Sequence, residues 1–255
     1  MIRFELKRLL TSGSLILGAA ILCACLLSCA LPGILYSQTQ DILFVYVMGW
    51  DLSAAMLILP VVSLIGYSIS HFNDETSGFL YLIVSRTGQQ TYITVKFLIA
   101  FLSGFMMVVL ATVIFVLVAM IIRPGIMNIV NTGAVYGDYW NTVIQKGGGW
   151  LYFLLKTIMT GCFAGLWSSL GIAVSPYLKN KYIVFATPFF LCELLSIATQ
   201  YMGLYLLDPY NISIRNSVGR LSFGGLPYAL CYEGMLLTGL YLLFDHGIRR
   251  KHVNG

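Results

Sequence analysis

Residues 95–122 read VKFLIAFLSGFMMVVLATVIFVLVAMII, and no charged side chain occurs between Lys96 and Arg123. A helix needs roughly 20 apolar residues, at about 1.5 Å each, to cross a bilayer core about 30 Å thick. This run is long enough. In lipid its peptide groups must bond within the segment, and a helix achieves that.

Five further stretches reach the same length: 14–35, 52–72, 150–175, 182–206 and 226–244. The expected fold is therefore an all-α integral membrane protein of six transmembrane helices, occupying residues 14–245, with a basic tail at 246–255. The composition agrees. Of 255 residues, 58% are hydrophobic and 10% charged, against roughly 25% charged in a soluble domain. The net charge of +5 comes from basic residues standing singly at the ends of apolar runs. That arrangement offers no stripe for nucleic acid, so no nucleic-acid partner is expected.

Orientation follows from Lys and Arg placement. With both ends inside, the cytoplasmic set is Arg3, Lys7, Arg8, Arg86, Lys96, Lys179, Lys181, Arg249, Arg250 and Lys251. The outer set is Arg123, Lys146, Arg215 and Arg220, with Lys156 inside the fourth run. Trp50, Tyr139, Trp140, Trp150, Tyr201 and Tyr205 then sit near the outer boundary as interfacial anchors. The opening run is charged, and the apolar run after it is too long for a signal-peptide core.

Residues 1–13 form a separate element. Ile2, Leu6, Leu9 and Leu10 share one face at helical spacing, with Arg3 and Lys7 on another. This pattern suits an amphipathic helix lying in the cytoplasmic interface, among lipid headgroups. The outer loops, 123–149 and 208–225, are too short for a separate extracellular domain, and the first is expected to have a flexible exit at Gly147, Gly148 and Gly149. Pro60 and Pro188 are expected to kink the second and fifth spans. Gly161 and Gly165, with Ser168, Ser169 and Gly171, offer a face for close helix packing.

Several chemistries have no foothold. The chain has no G-x-x-x-x-G-K-[ST], no H-E-x-x-H and no G-x-S-x-G. His71, His246 and His252 lie near cytoplasmic boundaries and are expected to be solvated. The six cysteines fall in apolar runs without metal-ligand spacing. Two acids lie at membrane depth, where a charge costs roughly 2.5–3.5 kcal/mol on insertion scales. Glu233 matches Lys156 in depth and is a candidate ion-pair partner. Glu193 has no depth-matched base and is a candidate for lining a water-filled path, as Glu233 also is.

The cytoplasmic loop 73–96, NDETSGFLYLIVSRTGQQTYITVK, carries the functional signal. Asp74, Glu75 and Thr76 look like a helix start. Phe79, Leu80, Ile83 and Val84 then give a short amphipathic helix, and Ser85–Gly88 end it. Such a face on a cytoplasmic loop invites a soluble partner.

This acid-x-x-Gly…Ser-Arg…Lys arrangement after the second span resembles the coupling region of permease subunits of type-2 ABC exporters, with Ser85 standing where the family usually has proline. The order of interface helix, six spans, a polar re-entrant-looking stretch before span six and a basic tail resembles that family along the whole chain. The resemblance implies that Asp74, Glu75, Gly78, Phe79 and Arg86 couple to a separate ATPase subunit, present in two copies and carrying the ATP and Mg. It implies a second permease, identical or related, and export of an amphipathic peptide or drug-like substrate across the cytoplasmic membrane of a bacterial cell. This chain itself would hold no cofactor and would not be an enzyme. A peptide-immunity permease of the same superfamily is one alternative; a membrane-embedded enzyme or sensor using Glu193 and Glu233 is another.

Overall fold

The computed structural model describes residues 1–36, 42–68, 70–123, 138–212 and 225–254, and among them every regular element is helical. Helices α1 (Ile2–Thr11) and α2 (Gly13–Tyr36) are followed by α3 (Ile42–Leu52), α4 (Ala55–Val62), α5 (Ser70–Thr76) and α6 (Phe79–Thr87). The long helices α7 (Gln89–Ile122), α8 (Asp138–Val174), α9 (Lys181–Tyr201) and α10 (Gly225–Asn254) complete the chain. Four helical segments are long and apolar enough to cross a membrane: Gly13–Leu35, Gln89–Ile122, Gly148–Val174 and Lys181–Tyr201. The pair α3 and α4, bent by 74°, makes a fifth if it is one broken span.

The burial pattern is inverted relative to a water-soluble bundle. On α9 the buried side chains include Ser196 and Thr199, while Phe190, Leu194, Leu195 and Ile197 are exposed. A helix facing water would do the opposite. Here polar groups bond across the interior and leucines face the solvent, as lipid requires. Ser168 Oγ donates to the carbonyl of Ala100 at 2.7 Å and lies 2.8 Å from Ser68 Oγ. Tyr46 OH lies 3.1 Å from Thr112 Oγ1.

The α7–α8 pair is the centre of the bundle. A Cβ on Gly104 would come 2.4 Å from the Ala164 carbonyl oxygen, and one on Gly165 would come 2.7 Å from the Phe101 ring. The small-residue face expected from Gly161 to Gly171 is thus in use, bringing two backbones together as in other membrane helix pairs.

One apolar cluster joins Leu9, Leu15, Tyr67, Leu80, Tyr92, Ile172, Phe244 and Ile248. Another joins Leu43, Tyr152, Ile212 and Ala229. The first and last helices therefore meet at one end of the bundle, and the chain returns to that end at residues 67, 80–92 and 172.

Four expectations are corrected. Residues 52–72 are not one helix: α4 ends at Val62, two residues past Pro60, a turn runs to Ser68 and α5 starts at Ser70. Ser53 Oγ takes the amide of Ala55 at 3.0 Å and turns the chain between α3 and α4. Trp50 is no interfacial anchor but fully buried, edge-on to Tyr46; Trp150, Tyr201 and Tyr205 are exposed. The second half of the 123–149 loop is helical from Asp138, and its redirection falls at Gly148, whose φ of 77° lies in the left-handed region. His71 is buried, not solvated. The short link expected between the fourth and fifth runs is present: α8 ends at Val174, and Asn180 caps α9 by accepting from the Tyr182 amide at 2.9 Å. The polar stretch before α10 lies outside the described residues beyond Ile212, as do Arg215 and Arg220.

Candidate functional site

The end of the bundle that gathers the first and last helices also holds a cluster of buried charge. Lys96, in the third turn of α7, is fully buried, with Nζ 3.0 Å from Glu5 Oε1 and 2.6 Å from Asp74 Oδ2. Arg8 reaches over both acids, with Nη1 3.2 Å from Asp74 Oδ1 and 3.8 Å from Glu5 Oε2. Two carboxylates thus face two cations, one pair from α1, one acid from α5 and one base from α7. Removing charge from water is expensive, and a low-dielectric site repays it only when every charge is matched. The count matches here.

Aromatic residues close the cluster. Tyr67 OH donates to Glu5 Oε2, and the rings of Tyr67 and Tyr92 lie 5.1 and 5.7 Å from Lys96 Nζ, close enough for cation–π attraction. Tyr92 OH contacts His71 Nδ1 at 2.9 Å and reaches toward Asp74 Oδ2 at 3.5 Å. His71 Nε2 stands 3.8 Å from Glu75 Oε2, one helical turn on. Burial pulls the Arg8 guanidinium's pKa down, but the charge and hydrogen bond of Asp74, with Glu5, outweigh that and leave it raised. Arg8 is cationic at every working pH.

The local reason for Asp74 and Glu75 is not the helix start expected of them. They end α5 (Ser70–Thr76), where the Gly78 amide bonds the Glu75 carbonyl at 3.1 Å. Acids at a helix C-terminus oppose the dipole. The Lys96 and Arg8 charges offset that opposition at Asp74. Gly78, at φ 74°, then starts α6, and Gly88, at φ 80°, ends it. Neither glycine is crowded, so each is needed for its backbone angle. The result is a nine-residue helix hung between two left-handed turns.

On α6, Leu80 packs into the bundle, with Ile83 and Val84 partly buried beside it, while Phe79 and Leu82 are exposed at 58% and 57%. Arg86 is exposed and Glu75 is half-buried. Of the five residues expected to couple outward, Glu75, Gly78, Phe79 and Arg86 therefore lie at the surface, and Asp74 lies inside. Reading the sequence missed Glu5, Lys96, Tyr67, Tyr92 and His71 as one site. A signal existed: Lys96 stands at the head of the apolar run of α7, and the acids Glu5, Asp74 and Glu75 lie at that same end.

The other candidates lie deeper. Glu193 is half-buried on α9, and Tyr210 OH donates to its Oε1; the Tyr210 ring packs on Phe163 at 5.8 Å. Lys156 on α8 and Glu233 on α10 are both buried. Asp51 of α3 acts electrostatically on Lys156, and Glu233 acts on Cys162. Among the described residues no three metal-ligating side chains come together. No protein-family model, curated protein or solved structure matches the chain.

Proposed function

We propose that this chain is the permease subunit of an ATP-driven exporter of the type-2 ABC kind. In this reading it crosses the cytoplasmic membrane six times, with α1 lying in the inner interface and both ends of the chain on the cytoplasmic side. Two copies of an ATPase subunit, supplying the ATP and Mg, dock on α6, and a second permease completes the path for an amphipathic peptide or drug-like substrate.

The observation that carries this reading is the way α6 is mounted. Phe79, Leu82 and Arg86 face outward between two positive-φ glycines, and the chain just before them enters the buried cluster through Asp74. A push on α6 would thus be delivered to Lys96 in α7 and to Glu5 and Arg8 in α1. Closure of the ATPase pair would move α6 and α5 together, and the matched charges would force α1 and α7 to follow. Two further features support the topology. The first and last helices share one apolar cluster, and α1 turns Ile2, Leu6 and Leu10 outward while burying Glu5 and Leu9, as an interface helix on lipid would.

The test starts with the full chain purified from its native membranes. A phosphate-loop ATPase should co-purify. In that complex Phe79→Ser with Leu82→Ser should lower ATP hydrolysis by about tenfold or more, since buried apolar anchors dominate such interfaces. Purification without any ATPase, or unchanged hydrolysis in the double variant, would sink the reading.

A further inference from the structure

Beside the buried charges, on the outer flank of Arg8, lies a cavity of about 390 Å³. Its wall is made where the α1–α2 elbow, the turn after α4, α5 and the start of α9 meet. Arg8, Asn73 and Lys181 bring polar groups to it, and among the described residues no carboxylate lines it.

The hydrogen-bond ledger of this wall is lopsided toward donors. Ser70 is buried, at 6% exposure, with its hydroxyl sealed off from the cavity beside the Tyr67 hydroxyl. The nearby Tyr67 hydroxyl is already committed to Glu5. Among the described residues Lys181 makes no ion pair; its ammonium lies 5.2 Å from the Tyr182 ring centroid. Arg8 spends one nitrogen on Asp74 and Glu5, and a guanidinium has five N–H donors in all. Two cations and the Asn73 amide, with no carboxylate among the described lining residues, select for an anion with several acceptor oxygens.

We propose that this cavity binds a phosphate group, presented by an anionic phospholipid headgroup or as free phosphate. Lys181 and Arg8 would hold its charge, and the Asn73 amide would bond a remaining oxygen. The site is separate from Arg3 and Lys7, which lie exposed elsewhere on α1. Its place beside the outward apolar face of α1 puts it level with headgroups, and an occupant there would tie α1 to α9. The proposal stands whether or not the chain is an exporter.

Native mass spectrometry of the full chain in detergent reads it directly. Phosphatidylglycerol should be retained about tenfold better than phosphatidylcholine, whose choline cation would meet Lys181; one charge-assisted hydrogen bond is worth roughly that factor. Lys181→Gln should abolish the preference, Asn73→Ala should weaken it, and Lys179→Gln, an exposed neighbour outside the cavity, should leave it intact. Displacement of the lipid by millimolar inorganic phosphate would identify free phosphate as the occupant; resistance to it would identify the headgroup. Equal retention of the two lipids, equal retention by Lys181→Gln, or equal loss in Lys179→Gln would overturn the proposal. Arg8 is left unaltered because its substitution also strips Asp74 of a partner.

Discussion

Lys96 holds two acids from different elements, so its removal leaves both to Arg8 alone. Lys96→Met keeps the length of the side chain and removes only the charge. Leaving a buried charge uncompensated costs about 3–5 kcal/mol, and thermal unfolding in detergent should show a loss of that size. In a double-mutant cycle, Glu5→Gln with Lys96→Met should lose less than the sum of the two single changes, since one buried acid no longer needs a cation. Additive losses would show that the two side chains do not share an environment. Glu193 is a different case. Glu193→Gln keeps an oxygen for the Tyr210 hydroxyl and should leave stability within about 0.5 kcal/mol, yet change substrate-stimulated ATP hydrolysis if the carboxylate serves the path. Glu193→Leu orphans that hydroxyl and should destabilise by about 1–3 kcal/mol. Unchanged hydrolysis in Glu193→Gln would remove Glu193 from the path.

Helix α6 depends on its two mounting glycines. Gly78→Ala and Gly88→Ala each place a Cβ on a residue with positive φ, at roughly 1–2 kcal/mol. Open space surrounds both positions, so the strain is in the backbone alone. The chain should fold and insert, while ATP hydrolysis in the complex becomes uncoupled from transport; retained coupling in both variants would show that the mounting carries no load. The amphipathic run of α6 was legible in sequence because Leu80, Ile83 and Val84 recur at helical spacing. Its start was not, because the acids of Asp74 and Glu75 suit a helix N-terminus, and only the distant Lys96 and Arg8 make them tolerable at a C-terminus. The broken helix at Ser53 was hidden for a similar reason: hydropathy counts a serine as mildly polar and is blind to the backbone amide its hydroxyl captures. Trp50 likewise reads as an anchor by type, and only the packing of α3 against α2 shows where its ring goes.

At the scale of the molecule, the membrane character was plain from composition, while the charge cluster was not, since it joins residues far apart in the chain. Lys96 illustrates the limit. It entered the orientation argument as a loop cation, yet it is a buried partner of two acids, and the remaining basic residues still favour the same side. Topology can be checked in a cysteine-free background. Arg3→Cys and Arg250→Cys should be shielded from an impermeant label in intact cells, and Lys146→Cys should react. Labelling of all three from outside would remove the six-pass arrangement.

The inward aim of Glu5 also bears on how the chain is made. When α1 leaves the ribosome, neither Asp74 nor Lys96 has been synthesised, so its acid has no base beyond Arg8 to meet. Lys96 in turn enters the translocon near one end of a long apolar helix, when Asp74 has already been made. Helix α1 is thus made well before the elements it docks on. Until it docks, Lys96 meets Asp74 alone, and α1 then closes the site by adding one acid and one base together.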